Sequence, residues 1–444
     1  MASIFKEIYG EVETPLFFVQ KMFEMMPKKV FENKDLKWLD VGCGNGIFSI
    51  YLYHILFKSL EDIITKPEDR KKHIIENMLY MVEINPIYEC DLLHFFGIHS
   101  NIYIKDFLSN IDIPKVDIMI GNPPFHSSSI KKVPTNKVKK KKNDGTTIWV
   151  DIIRKGLSLI NENGYLLTII PCIWMKPDKA CMYETITQYK IHSLKTLSGN
   201  KANKIFSHQA QTPCSYFLLQ KKKTDGIIPI YDEEEKTFVS YNFLPKYPIP
   251  IYGATVVDKL KNYVVKYGCL KVTKTNDVSK KCLISDIQNQ EYPNPNIHTC
   301  RLNGLNPELI LKYTNIPCSH FALPKIVMAH GMYGFPFYDS TGAYGICNRD
   351  KFVIFNKTKD EFKILFHFLN TKLARYLFEA TRYRMKYLEK YIFELIPNLC
   401  NLPNLPLEIN DETMADYFQL TKMERFHVNY FHKKQYHSFT PSDI

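Results

Sequence analysis

The sequence predicts a doubly wound, mostly parallel α/β sheet over residues 1–225, followed by a second, α+β domain over residues 226–444 that ends in a helical tail. Three observations carry this. Short apolar runs alternate with amphipathic helical stretches through the first half. A glycine cluster, Gly42-Cys43-Gly44-Asn45-Gly46, lies between the first of those runs and the helix that begins near Ile47. The alternation stops at the polar break Lys221-Lys222-Lys223-Thr224-Asp225-Gly226, after which scattered Pro, Tyr and Asn set a different texture.

With 444 residues, 45% of them hydrophobic and 23% charged, the chain has core enough for two or three domains and is not disordered. A formal charge of +12 and a pI near 8.9 favour a polyanionic partner. Eleven cysteines, an odd number with no C-x-x-C pair, argue against a disulfide framework or zinc site and for a reducing compartment, with no metal expected. The first residues lack a signal-peptide pattern, and the longest apolar run, at 47–57, is too short and polar to span a bilayer, so a soluble, cytoplasmic protein without membrane contact is expected.

Taken in order, Glu13-Thr14-Pro15 precedes apolar positions Leu16, Phe17, Val19, Met22, Phe23 and Met26, a helix start with Thr14 as N-cap and Pro15 as the first helical residue. Residues 36–41 read as the first strand. The glycines after it let the backbone approach a ligand across the sheet edge, with G-x-G-x-G spacing rather than the dinucleotide G-x-G-x-x-G. A polar helical insertion at 60–72 leads to a second strand through Met81-Val82-Glu83, and Glu83 there can accept both hydroxyls of a ribose. The third strand, at 101–105, ends in Asp106-Phe107, a carboxylate for a purine amine and a ring to cover it. Either acid alone would ordinarily be a solvated loop residue; their positions at successive strand ends argue for a nucleoside site.

Val116-Asp117-Ile118-Met119-Ile120 is a fourth strand, and Gly121-Asn122-Pro123-Pro124-Phe125 opens from its carboxyl end, where open α/β sheets hold their chemistry. The Asn122 amide and a proline-fixed carbonyl can be aimed at one point, and Phe125 supplies a flat surface beside it. This suits a planar group bearing an NH2; a simple turn is the competing reading. The lysine-rich stretch at 127–143 follows, with Lys139 and Lys140 placed for phosphate contact unless they are merely solvated. A helix at 151–160, a turn at Asn163-Gly164, a fifth strand at 165–170 and a late strand at 215–220 complete the first domain.

In the second half, 362–378 reads as an amphipathic helix. Arg375, Arg382, Arg384, Lys386 and Lys390, interleaved with Tyr376, Tyr383, Tyr387 and Tyr391, read as a basic helical segment for phosphates and base or sugar faces, or as a solvated helix with a buried tyrosine side.

These residues resemble the S-adenosylmethionine-dependent, amino-specific DNA methyltransferases. The segment from Asp40 through Gly42, Gly44 and Gly46 is similar to their first cofactor motif, Glu83 to the ribose acid, and Asp106 with Phe107 to the adenine-side pair. Thr14-Pro15 resembles the segment that closes over the cofactor's methionine end, and Asn122-Pro123-Pro124-Phe125 the catalytic motif. The motif order is that of the gamma, N6-adenine class, and residues 73–80, the Trp149 segment and Ile169-Ile170-Pro171 look closest to the methylase part of the Eco57I enzymes. The likeness is strong over the first half and thin over the second.

The resemblance implies a Rossmann-like methyltransferase sheet, S-adenosyl-L-methionine as cofactor, and transfer to N6 of a flipped-out adenine in double-stranded DNA. Phe125 would stack on one face of the base and Phe206 on the other, while Lys139, Lys140, Arg382 and Arg384 would hold the duplex. It implies a monomer without its own nuclease, a separate restriction endonuclease of the same system being a candidate partner. Phe125 stands where the family more often carries Tyr, which keeps stacking and loses a hydroxyl. A similar Asn-Pro-Pro-Phe occurs in some ribosomal RNA methyltransferases, and the loop suits planar NH2 groups in general, so RNA or a protein glutamine amide is the alternative substrate, and an inactive DNA-binding homologue the non-enzyme alternative. The Lys-, Asn- and Ile-rich composition points to an A·T-rich genome such as that of a large virus.

Overall fold

Nine runs form the strands of one sheet in the computed structural model: β1 Trp38–Val41, β2 Leu79–Glu83, β3 Asn101–Ile104, β4 Val116–Gly121, β5 Ile160–Pro171, β6 Tyr189–Leu197, β7 Cys214–Lys223, β8 Ile227–Asp232 and β9 Thr237–Asn242. Their order is β3-β2-β1-β4-β5-β7-β6-β8-β9. The first five are parallel, and β7 runs antiparallel between β5 and β6. The structure describes residues 11–127, 147–207, 212–233, 235–275, 282–303, 306–329, 336–349, 351–384 and 388–432.

Both faces of the sheet are covered, which is why its central strands read as continuous apolar runs rather than alternating ones. Ile118 and Ile120 of β4 share one core with Phe18, Val19, Met22 and Phe23 of the helix Leu16–Phe23 and with Phe48, Leu52 and Leu56 of the helix Ile47–Ser59. Met119, between them, points to the opposite face and meets the helix Trp149–Leu159. That helix lies so close that a Cβ on Gly156 would fall 2.1 Å from the Met119 sulfur. Asp117 interrupts the apolar run for a structural reason. Its carboxylate accepts from the Lys37 backbone N–H at 2.9 Å and from the Asn161 side-chain amide at 2.8 Å, so it clips β4 to the segment leading into β1 and to the start of β5.

Several sequence expectations shift. Pro15, not Thr14, is the N-cap of the first helix, which starts at Leu16 without a side-chain cap. The Thr14 hydroxyl is engaged elsewhere, as described below. Asn163-Gly164 is not a turn ahead of β5 but an irregularity within it, Asn163 taking a φ of 65° where the register against β4 slips. The polar break at 221–226 does not end the first unit. Lys221 to Lys223 continue β7, Lys190 pairs with Asp225, and the hairpin of β8 and β9 joins the sheet through β6. The first unit therefore comprises Met1–Asp232 and Lys236–Pro245.

The second unit, Glu233–Glu235 with Lys246–Ile444, is α+β. Its described strands are β10 Thr273–Lys274, β11 Ile284–Ser285, β12 Asn294–Asn303, β13 Asn306–Thr314, β14 Lys325–Ala329, β15 Phe337–Asp339 and β16 Lys351–Phe355. They form two antiparallel sheets, β10-β16-β14-β15 and β11-β13-β12, around a core of Ile297, Cys300, Val327, Ile346 and Val353. The helix expected over 362–378 is two helices, Lys359–Leu369 and Lys372–Ala380. Thr358 and Glu361 form a capping box on the first, and the Thr371 hydroxyl caps the second. The basic segment beyond Ala380 is not helical through 384. Among the described residues, no helix is long and apolar enough to cross a membrane.

Candidate active site

The site begins with the loop after β1. Gly42 and Cys43 donate their N–H groups to the Val82 carbonyl of β2, at 2.9 and 3.1 Å, which draws the loop across the carboxyl ends of both strands. Gly42, Gly44 and Gly46 have φ of 67°, 54° and 80°, left-handed values that an L side chain adopts only with strain. A Cβ on Gly44 would meet nothing nearer than a Glu11 carboxylate oxygen at 4.0 Å, so that backbone faces open space. A Cβ on Gly42 would come 3.1 Å from Pro124 Cδ, which places the glycine loop against the Asn122 loop.

Three carboxylates surround this loop. Asp40 is 2% exposed; its Oδ2 accepts from Ser49 Oγ at 2.8 Å, and its Oδ1 has no hydrogen-bond partner among the described residues. Burial, reinforced by the nearby charge of Glu83, pushes the Asp40 carboxyl up to about 7 against the opposing Ser49 hydrogen bond. Glu83 is buried too. It accepts from the Gly44 N–H at 2.8 Å and the Asn85 N–H at 2.7 Å, and desolvation raises it more than these bonds lower it. A carboxylate offers roughly four lone-pair positions, so two backbone bonds leave capacity for hydroxyl donors. Glu11, which the sequence reading passed over, accepts from the Tyr88 hydroxyl and contributes to the raised state of Glu83. Three acids beside a backbone cradle make a pocket that favours a cation.

The Asn122 loop is held from several sides. The Gly121 carbonyl accepts from the buried Thr168 hydroxyl of β5 at 3.1 Å. Gly121 has a φ of 136°, and a Cβ there would lie 3.2 Å from Asp40 Oδ1 and from the Val41 carbonyl. Asn122 Nδ2 donates to Thr14 Oγ1 at 3.1 Å and to the Val12 carbonyl at 3.5 Å. The Phe125 carbonyl accepts from the Ile148 N–H at 3.2 Å, and His126 bridges to Thr147. Those contacts join the described residues on either side of the lysine-rich stretch, and Lys139 and Lys140 themselves lie outside the described residues.

The structure thus brings Thr14, Asp40, Gly42, Gly44, Glu83, Asn122 and Pro124 into one connected set, with Pro15, Gly46, Pro123 and Phe125 as their direct chain neighbours or helix boundary. Asp106 is exposed at the end of β3; its Oδ1 accepts from the Leu108 N–H at 2.9 Å. Phe107 is buried, with the Lys155 ammonium 5.0 Å from its ring centroid and bonded to its carbonyl. Phe206 departs from expectation. It is 2% exposed and packs edge-on to Phe18 at 5.6 Å, a core residue rather than a free stacking face. Arg382 and Arg384 also depart. Arg382 pairs with Glu379 at 2.7 Å and Arg384 with Glu389 at 2.8 Å, and both acids are buried, so these guanidiniums compensate internal charge. Glu11, Tyr88, Ser49 and Thr168 were missed, since nothing in their local sequence marks a carboxylate or hydroxyl that becomes adjacent only through the fold.

Residues 47–206 match the family model of the Eco57I restriction-modification methylase. The match is confined to that segment of the first unit. An uncharacterized adenine-specific methylase of Mycoplasma pneumoniae is 25% identical over 37% of this chain and 56% of its own length. The chain therefore spans little more than half of that curated relative. Partial likeness in backbone course extends to the EcoKI M protein, with a TM-score of 0.40, 13% identity, and 50% and 48% of the two chains covered. It extends also to a modification subunit of a putative type I restriction enzyme from Vibrio vulnificus, with a TM-score of 0.36, 17% identity, and 53% and 51% covered.

S-adenosyl-L-methionine is the cofactor that the matched segment implies, and the residues present fit it. The unpartnered Asp40 Oδ1 is an acceptor waiting for a donor, Glu83 retains acceptor capacity, and the open face of Gly44 is a cradle that a Cβ would begin to fill.

Proposed function

We propose that this protein methylates N6 of adenine in double-stranded DNA at a short, defined sequence. The observation that carries the proposal is the state of Asn122. Both of its amide hydrogens are directed at Val12 and Thr14, so what it has left to offer is the acceptor Oδ1. An acceptor at this loop suits a substrate that donates, and an exocyclic amine does.

Bound S-adenosylmethionine supplies an electrophilic methyl group. The chain's own residues do the rest. The amine lone pair of adenine is delocalised into the ring and weakly nucleophilic. Asn122 Oδ1 and the Pro123 carbonyl accept its two hydrogens and draw the nitrogen towards tetrahedral geometry, which localises the pair. Pro124 braces the loop against Gly42, fixing the distance between amine and cofactor sites. Phe125 stacks on the base, which must leave the duplex to arrive there. Asp40, Glu83 and the loop through Gly42, Gly44 and Gly46 hold the cofactor, with Asp106 and Phe107 at its adenine end.

The second unit, after residue 245, is assigned to DNA reading, with the lysine loop as a further phosphate contact and a separate endonuclease as a candidate partner. An intracellular monomer is the form proposed. The test is expression in a methylation-deficient bacterial host, with modified bases mapped along its genome and total RNA and ribosomal proteins examined in parallel. A recurring N6-methyladenine motif is expected. Methyl groups confined to RNA or to glutamine would transfer the assignment to those substrates.

A further inference from the structure

The segment 11–14 lies across the site and touches it at two points. At one end, Glu11 accepts from the hydroxyl of Tyr88, which follows the Glu83 strand end by one short turn. At the other, Val12 and Thr14 engage the Asn122 amide. An isolated Asn side chain can present either its oxygen or its nitrogen to a substrate, and the two ends are nearly the same shape. Here the neighbours decide. A backbone carbonyl only accepts, so the group facing Val12 must be the NH2. The hydroxyl oxygen of Thr14, a buried residue, lies 3.1 Å away and takes the second contact on the same side.

We propose that Thr14 is a positioning residue for methyl transfer: its hydroxyl, with the Val12 carbonyl, holds the Asn122 amide so that Oδ1 faces the incoming amine. Thr14 is then more than a wall of the cofactor pocket, and the Glu11–Tyr88 contact sets where the segment carrying it lies. Without the hydroxyl, only the long Val12 contact opposes rotation among the described residues. A rotated amide turns its NH2 on the substrate's own donors, which repels the amine instead of binding it.

This inference rests on the proposed adenine chemistry, and the test separates the two. Thr14→Val keeps the shape and removes the oxygen; Thr14→Ser restores it. With DNA substrate, kcat for Thr14→Val should fall between about 10-fold and 100-fold, the range for losing one orienting hydrogen bond at a reacting centre. Cofactor affinity by calorimetry should stay within about twofold, and Thr14→Ser should recover most of the rate. A second readout needs no substrate. In protein labelled with 15N-asparagine, the Asn122 side-chain NH2 pair, identified by its loss in Asn122→Ala, should exchange with water faster in Thr14→Val than in wild type or Thr14→Ser. Unchanged exchange, an unchanged kcat, or a kcat loss matched by lost cofactor affinity would overturn the positioning role. A wild-type enzyme inactive on DNA adenine, with the exchange difference present, would overturn only the substrate assignment.

Discussion

Asp40 offers the sharpest test of the cofactor pocket, because its burial makes binding sensitive to pH. With its carboxyl at about 7, the group is protonated in most free molecules at pH 6 and ionised in most at pH 8. A cationic group brought to Oδ1 favours the ionised form. Below pH 7 each pH unit then costs about tenfold in affinity, so from pH 8 to pH 5 cofactor binding should weaken about 100-fold, or about 2.7 kcal/mol. Protons should be released on binding near pH 6. Asp40→Asn, which cannot ionise, should bind weakly at every pH with a flat profile. Stability runs the other way. The folded carboxyl lies above its ordinary 3.8, so its contribution is fully present below about pH 4 and is lost as pH rises through 7, a loss of about 4 kcal/mol at most. Asp40→Asn should therefore raise the unfolding midpoint of the free protein at pH 8 and change it less at pH 5. Calorimetric titrations in two buffers of different ionisation enthalpy, with thermal melts, measure both. A wild-type affinity that is flat between pH 5 and 8 would refute the reasoning.

Asn122→Ala should bind cofactor and DNA normally and lose nearly all methyl transfer, whereas Phe125→Tyr stays active and Phe125→Ala loses about 1–3 kcal/mol of base stacking, read in rate or KM by single-turnover kinetics. Gly121→Ala puts a Cβ 3.2 Å from Asp40 Oδ1 at a φ of 136°, and should destabilise the first unit by about 1–3 kcal/mol in urea titrations; an unchanged midpoint would contradict the close approach. Arg384→Ala leaves Glu389 buried without its main partner, so it should lower stability by about 1–2 kcal/mol, discounted because the arginine is half exposed, and leave the salt slope of DNA binding nearly unchanged. A slope reduced by about one, with stability intact, would return Arg384 to the phosphate role.

The parts of the site that the sequence made legible are those where one residue type has a local cause. Glycines at a strand-to-helix turn, an acid closing a strand and an asparagine between a glycine and two prolines each announce a backbone geometry. What stayed hidden depends on pairing between distant segments. Thr14 ahead of Pro15 has the local signature of a helix cap, yet its hydroxyl is committed to Asn122, 108 residues away, and the helix begins without it. The run of lysines at 221–223 has the composition of a linker, but it completes β7 and the chain returns to the sheet. Arg382 and Arg384 look like a basic stripe only until Glu379 and Glu389 are seen buried beside them. Charge along a chain is visible in sequence; charge already neutralised in space is not.

The Asp117 clip has a consequence for how the protein reaches its working form. It joins residues 80 apart, and the parallel strands on either side of it cannot pair until that length of chain has been closed. Closing such a loop costs about 4 kcal/mol of chain entropy before any contact offsets it, which slows parallel pairing. The glycine loop and the Asn122 loop meet only after that step. On dilution from denaturant, helical signal should therefore return early and the capacity to hold cofactor late. Asp117→Asn, which keeps one acceptor, should delay the second phase more than the first.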